Sequence, residues 1–229
     1  MSTSIRLRVL TFLAGFAAVT GLLTAQEETP DKRLRNSAAT FHDIMAAPDR
    51  AIPRDLLERA RCIVIVPGMK KAAFLVGGEY GRGFASCRLP GRWSAPAPVR
   101  LTGGSFGLQL GADSTDIVLL LMNQHGLESL LSDKFSIGAD LAAAAGPVGR
   151  DAKASTDILL KAEILSWSRS QGIFAGVSLN GTMVESDHAE AKRLYGRDWS
   201  NRDIIQGAIA MPDAAKILGD ELARDVYQK

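Results

Sequence analysis

The sequence predicts an α+β fold: a curved, mainly antiparallel sheet of short strands, with an N-terminal amphipathic helix and C-terminal helices packed around it. Helical periodicity is strongest towards the two ends of the chain that follows the leader, and most of the middle consists of short β-rich runs separated by turn dipeptides. Runs this close together favour antiparallel pairing, because a parallel crossover needs about a dozen residues. No repeat or low-complexity linker divides the 229 residues, so one domain over residues 26–229 is expected.

Residues 1–25 have the three-part pattern of a secretory signal peptide. Arg6 and Arg8 precede an apolar stretch over residues 9–23, and small residues follow it. An uncleaved membrane anchor is the alternative, although the stretch is short for a spanning helix, which needs about 20 apolar residues. The leader predicts a periplasmic or secreted protein, and a peripheral association with a membrane is compatible with either location.

The predicted helices before the sheet are an amphipathic one and a short one. Residues 31–47 space Leu34, Ala38, Phe41 and Ile44 by three or four positions, which is typical of a helix with one buried face. A second helix over residues 54–60 follows Pro53, because proline is tolerated in a first helical turn.

Six β-rich runs follow, separated by glycine- and proline-containing turn signals. The predicted strands are residues 62–66, 72–76, 83–88, 99–101, 106–110 and 116–122. The predicted turns are Pro67-Gly68, Gly77-Gly78, Pro90-Gly91 and Gly103-Gly104. Asp116 is interpreted as a turn residue before an apolar strand.

The second half predicts a short helix, a strand and a hairpin before the helices that end the chain. Helical turns are expected over residues 126–132, a strand over 138–149, a hairpin of 157–169 with 173–179, and a last strand through Val184. Helices are expected over residues 188–195, 201–210 and 213–227.

Composition argues against most chemistry. Arg6 and Arg8 are the only charged residues before Glu27, so the chain without its leader has equal numbers of basic and acidic side chains, which argues against a nucleic-acid binder. Three scattered histidines, without cysteine partners at ligand spacing, predict no metal site. The glycine-rich residues 103–111 match no phosphate-binding motif, and no serine lies in a nucleophile motif. We therefore expect no enzyme and no cofactor.

Cys62 and Cys87 are predicted to form a disulfide. In an oxidising compartment an even pair is more often bridged than free. The alternative is two separately buried thiols on apolar strands.

The basic residues of the strand region allow two interpretations. Lys70 and Lys71 follow Pro67-Gly68, and further arginines, among them Arg82, punctuate the strands. They form either a solvated rim balanced by acidic neighbours or a patch that binds lipid head groups.

Several stretches resemble the SYLF-domain family of lipid-binding modules, in its secreted bacterial form. They are residues 62–74 (CIVIVPGMKKAAF), 76–83 (VGGEYGRG), 93–96 (WSAP), 103–116 (GGSFGLQLGADSTD), 138–150 (GADLAAAAGPVGR) and 162–181 (AEILSWSRSQGIFAGVSLNG). Two positions depart from the family pattern: Ala72 replaces a glycine, and Trp167 replaces a tyrosine.

The resemblance implies non-enzymatic binding of acidic phospholipids at the cell envelope, through basic residues and the helix over residues 31–47. Phosphatidylglycerol or cardiolipin is the expected lipid. Lys70 and Lys71 match the family's lysine pair, and Arg82 and Arg150 complete our predicted head-group residues. The alternative function is a structural or protein-interaction module of the periplasm, with an envelope protein as its partner.

Overall fold

The computed structural model describes residues 28–47, 51–73, 77–105, 111–149, 161–170, 172–207 and 209–227. Its helices are α1 (Pro30–Ala46), α2 (Arg54–Arg59), α3 (Gln124–Leu130), α4 (His188–Tyr195), α5 (Asn201–Ile205) and α6 (Asp213–Tyr227). Its strands are β1 (Cys62–Ala73), β2 (Gly77–Leu89), β3 (Arg92–Trp93), β4 (Ala97–Ser105), β5 (Gly111–Leu121), β6 (Lys134–Ser136), β7 (Ala143–Ala145), β8 (Ile164–Ser170), β9 (Ile173–Gly176) and β10 (Met183–Ser186).

The strands form a curled sheet in the order β6-β10-β4-β2-β1-β5-β8-β7, with β3 paired to β2 and β9 paired to β8. Every strand pair is antiparallel except β7 with β8. The predicted fold class is confirmed. The expected hairpin of residues 157–169 with 173–179 is found over a shorter range, as β8 and β9, and residues 157–160 lie outside the described residues.

Buried apolar side chains cover both faces of the sheet. In β1, Val64 and Val66 belong to one cluster, while Ile63 and Ile65 belong to the other. This alternation is that of a strand buried on both sides. α1, α2 and α6 cover the face of Ile63, which we call the helix-covered face. Side chains from α3, α4 and α5 join the cluster on the other face.

Three predicted turns are wrong, because their glycines lie within strands. Pro67-Gly68 is a bulge inside β1, so the predicted run 62–66 continues through it as far as Ala73, and residues 74–76 lie outside the described residues. Gly77-Gly78 lies in β2 and Gly103-Gly104 in β4. Proline and glycine interrupt the regular pairing of a strand, but the interruption can be a bulge within the strand instead of a turn that reverses the chain.

Other boundaries differ more modestly. The predicted strand over residues 138–149 is reduced to β7, and the helix predicted over 201–210 ends at Ile205, where the backbone turns towards Gly207 (φ 83°). α4 and α6 have the predicted bounds. The leader and the predicted strand over residues 106–110 lie outside the described residues. Within the described ranges, no helix combines the length and the apolar character needed to cross a bilayer.

The predicted disulfide joins Cys62 to Cys87. The two residues are directly opposite on β1 and β2, with Cα atoms 4.0 Å apart. The Arg88 amide donates to the Arg61 carbonyl beside them, which makes Cys62 and Cys87 a non-hydrogen-bonded pair. Such pairs have the closer Cα spacing of an antiparallel ladder, so the sheet itself brings the sulfur atoms together.

Candidate functional site: a polar cleft beside the β1 bulge

The bulge in β1 determines which way Lys70 faces. Gly68 has a φ of 61°, and its amide donates to Asp116 Oδ1 at 2.8 Å. Between Val66 and Met69, β1 contains one residue more than β5 opposite it. The extra residue shifts the alternation of side chains, so Met69 is buried in the cluster that holds Val66 and Lys70 lies on the helix-covered face.

Lys70 lines an open polar cleft of about 390 Å³ between α1 and the sheet. Side chains from one flank of α1, from the bulge, and from β5 and β8 surround it. The lining residues are Glu28, Asn36, Ala39, Thr40, Pro67, Gly68, Lys70, Ser114, Asp116 and Arg169. The cleft therefore exists only where α1 is docked on the sheet.

Arg169 is fixed in this cleft by two carboxylates. Its Nε and Nη2 donate to Asp116 Oδ2 at 2.9 and 2.8 Å, and its Nη1 donates to Asp43 Oδ2 at 2.7 Å. Burial lowers the pKa of Arg169, but hydrogen bonds and attraction from Asp43 and Asp116 outweigh it and raise that pKa. Arg169 therefore stays charged and ties β8 to both β5 and α1.

Lys70, in contrast, is exposed and has no salt-bridge partner among the side chains that the structure describes. It lies directly opposite Ser114 on β5 and Tyr80 on β2. Tyr80 is a large side chain that is 48% exposed. Directly opposite residues share a face of the sheet, so a cation and an exposed aromatic ring lie side by side.

The other predicted head-group residues are placed differently. Arg82 does not line the cleft: its Nε donates to Asp187 Oδ2 at 2.6 Å, and its side chain is only 12% exposed. The backbone of Lys71 pairs with Glu79 and Asp113, but its side chain is outside the described part of the structure. Arg150 also lies outside the described residues.

Arg82 belongs to a buried ionic network that sequence reasoning missed. Glu190 contacts Arg33 of α1, Arg82 of β2 and Arg193 of its own helix, and it is 1% exposed. Burial raises the pKa of Glu190, although its three arginines oppose this. Asp187 is the N-cap of α4, and its side chain accepts from the Glu190 amide.

The pKa of Asp187 is shifted in the opposite direction to that of Glu190. Burial works to raise its pKa, but hydrogen bonds from Arg82 and from the Glu190 amide lower it below the ordinary 3.8. The network therefore holds α1, α4 and β2 together through charged groups, each within reach of an opposite charge.

The apolar face of α1 is part of the core. Leu34 and Phe41 are fully buried, and Ala38 and Ile44 are 5% and 1% exposed. On its other sides α1 packs along α6, where His42 Nδ1 lies 2.8 Å from Glu221 Oε1. The exposed side of α1, all of whose residues the structure describes, consists of polar residues and the small residues Ala39 and Ala46, and it carries no fully exposed large apolar side chain.

The sequence signals for this site were uneven. Lys70 follows both from the basic residues of the strand region and from the resemblance. Asp116 was interpreted as a turn residue, and Arg169, within the matched stretch 162–181, was not singled out. Asn36 and Thr40 come from the helix flank, which no motif marks. Within the described ranges, no group of three His, Cys, Asp or Glu residues is arranged to hold a metal ion.

Comparison with known proteins identifies the family. Residues 102–224, more than half of the chain, match the family model Ysc84, described as "Las17-binding protein actin regulator". The chain belongs to the Ysc84 family. This is the SYLF family that the sequence resembles, so the predicted family is confirmed.

Curated relatives include eukaryotic members of the Ysc84 family. The chain is 31% identical over 177 residues to "SH3 domain-containing YSC84-like protein 1" of Bos taurus, which covers 76% of this chain and 52% of that protein. It is 33% identical over 170 residues to "LAS seventeen-binding protein 3" of Saccharomyces cerevisiae, covering 72% of this chain and 37% of that protein. The chain thus spans about half, or less, of the length of these relatives.

Proposed function

We propose that this Ysc84-family chain is a non-enzymatic protein that binds acidic phospholipids, with Lys70 as the head-group contact. One observation carries the proposal: Lys70 is an exposed cation without a described salt-bridge partner, at the mouth of a polar cleft. The arginines of the cleft and of the buried network are already paired with carboxylates. Among the described cations of the cleft and of the buried network, Lys70 is therefore the one whose charge is available for a phosphate.

Tyr80 supports a membrane contact at the same place as Lys70. Tyrosine is favoured at membrane–water interfaces, where its ring meets the acyl boundary and its hydroxyl group meets the head groups. A cation near an anionic surface contributes about 1 kcal/mol of attraction. Lys70 and Tyr80 pair directly across β1 and β2, which supports a head-group contact and an aromatic contact within one small area.

The cell envelope is the proposed location. The leader pattern of residues 1–25 supports export, and the Cys62–Cys87 disulfide suits an oxidising compartment. Phosphatidylglycerol and cardiolipin are the acidic lipids that we propose there.

The test is cosedimentation with liposomes of increasing phosphatidylglycerol content at several salt concentrations. We expect capture of the protein to rise with acidic lipid and to fall with salt. Replacing Lys70 and Lys71 by Glu removes two attractions and adds two repulsions, so the affinity should fall at least about tenfold, or ~1.4 kcal/mol. An unchanged melting temperature would show that the fold is intact.

The matched control is the double variant Lys192→Glu with Lys216→Glu, which changes the same charge at exposed positions of α4 and α6. Equal losses in the two double variants would mean long-range attraction and would contradict the Lys70 site. Absence of capture at any lipid content would leave the protein-interaction alternative as the better function.

A further inference from the structure

The charges around the cleft are nearly balanced. Asp116 accepts from Gly68 and Arg169 through both of its oxygens, and Arg169 also binds Asp43. Glu28 accepts from the Asn36 side chain at 2.5 Å. Glu28 also lies 3.3 Å from Arg33 Nε, and Arg33 pairs with Glu190 as well. The carboxylates of Glu28, Asp43 and Asp116 thus lie close to the cleft. Among the described cations, Lys70 forms no salt bridge with them.

This balance limits how much negative charge a ligand can bring. A ligand with a single negative charge can pair with the Lys70 ammonium. A second negative charge in the same cleft would face Asp116 or Glu28, whose arginine partners are already shared with other carboxylates. Like charges a few ångströms apart repel, and a partly buried cleft screens that repulsion less than bulk water does.

The remaining lining of the cleft is hydroxyl and amide. Ser114 and Asn36 are exposed beside Lys70, and Thr40 lies on the α1 wall. These groups both donate and accept hydrogen bonds, as do the hydroxyl groups of a polyol. They offer specific contacts to a ligand without requiring further charge.

We infer that the cleft selects head groups with one phosphodiester charge and free hydroxyl groups over phosphomonoesters. The inference rests on the proposed function and deepens it. A phosphodiester such as that of phosphatidylglycerol carries one negative charge, whereas a phosphomonoester carries about −1.5 to −2 at pH 7. The phosphodiester satisfies Lys70, and its glycerol hydroxyls reach Ser114 and Asn36.

The experiment compares vesicles of phosphatidylcholine with either phosphatidylglycerol or phosphatidic acid, adjusted to equal zeta potential. We expect at least fivefold tighter binding of the full chain to the phosphatidylglycerol vesicles. Soluble glycerophosphoglycerol should compete for the protein better than inorganic phosphate, which separates head-group recognition from attraction to a charged surface. Lys70→Ala should weaken binding to both kinds of vesicle.

Two charge-neutralising variants test the mechanism of selection. Glu28→Gln removes one carboxylate beside the cleft, and Asp43→Asn frees Arg169 from one of its two partners. Each should reduce the fivefold preference to less than twofold, chiefly by improving binding to phosphatidic acid. Asp43 is 52% exposed, so its replacement remains informative if Glu28→Gln destabilises the protein.

The outcomes separate this inference from the function on which it rests. Equal binding at matched zeta potential, or a preference for phosphatidic acid, would overturn the selectivity and leave phospholipid binding in place. Failure of both kinds of vesicle to bind the protein would instead overturn the proposed function. A preference for phosphatidylglycerol that both variants retain would show that the carboxylates do not cause it.

Discussion

A single inserted residue at Pro67-Gly68 gives Lys70 its orientation. The register of β1 against β5 shows the insertion, and the hydrogen bond from Gly68 to Asp116 holds the bulge in place. The Asp116 carboxylate also receives Arg169, so the residue that fixes the bulge also fixes the wall of the cleft. Proline and glycine at these positions are visible in the sequence, but they predict a turn as readily as a bulge.

Asp187→Asn tests the buried ionic network. Asparagine can still cap α4, but it removes the charge that faces Arg82, so we expect a loss of at least about 2 kcal/mol at pH 7. Because the folded-state pKa of Asp187 is lowered, its contribution is present above the ordinary value of 3.8 and is lost as the pH falls through the folded value. The difference in melting temperature between wild type and variant should therefore narrow below about pH 4.

The measurement is thermal unfolding of both proteins between pH 3 and 7. The raised pKa of Glu190 gives a pH dependence of stability opposite to that of Asp187. Glu190 is present in both proteins, and so are Arg33, Arg82 and Arg193. Asp213→Asn is the control: it breaks only an exposed pair with Lys216 of the same helix, so it should change the melting temperature much less than Asp187→Asn does. A constant difference across the whole pH range would show that the charge of Asp187 contributes nothing.

At the scale of elements, the observed packing of α1 competes with the membrane-binding role that the resemblance implies for it. Its apolar face completes the core, while the resemblance implies a membrane-binding amphipathic helix over the same residues. Insertion of that face into a bilayer would expose the sheet beneath it, including Ile63 and Ile65. The cleft also needs the α1 residues Asn36 and Thr40 in place.

We therefore expect α1 to stay docked when the protein binds lipid. Hydrogen–deuterium exchange should show the amides of residues 31–46 equally or better protected in the presence of phosphatidylglycerol vesicles. Faster exchange confined to α1 would mean that the helix leaves the sheet and binds the membrane itself.

A glycine in β2 tests how tightly the sheet is curled. A Cβ atom built at Gly83 would lie 2.0 Å from the Ile65 carbonyl oxygen, whereas one at Gly78 in the same strand meets nothing within 4 Å. Gly83→Ala should destabilise the protein by at least about 2 kcal/mol, because a backbone atom cannot move aside as a side chain can. Gly78→Ala is the matched control and should be almost neutral in denaturant unfolding; equal losses would contradict the close approach.

Elements with strong periodicity were predicted well, and the site was predicted only in part. α1, α4 and α6 follow from sequence patterns that act within a few residues. The bulge, the pairing of Arg82 with Asp187 and the salt bridge between Arg169 and Asp116 join positions from 48 to 105 residues apart. Such partners depend on strand register, which a single sequence does not specify.

For the whole molecule, the Cys62–Cys87 disulfide should be a major contributor to stability. Closing a loop with a sequence separation of 25 residues is worth ~3.5 kcal/mol in the chain-entropy model. Replacing both cysteines by Ala should lower the free energy of unfolding by about 2–4 kcal/mol in urea titrations. Thiol counting on unfolded, non-reduced protein should find none free; two free thiols in protein from its oxidising compartment would contradict the bond.

The burial of the disulfide determines when, during folding, it can form. Cys62 is fully buried and Cys87 is 2% exposed, because β1 and β2 lie inside the sheet with clusters on both faces. Side chains this buried meet a small-molecule or enzymatic oxidant only while the layers are open, so we expect access to the sulfur atoms chiefly before the fold is complete. Oxidation therefore has to accompany the pairing of β1 with β2 and precede the docking of the neighbouring strands. A chain that completes its fold while reduced would keep its thiols until it unfolds again.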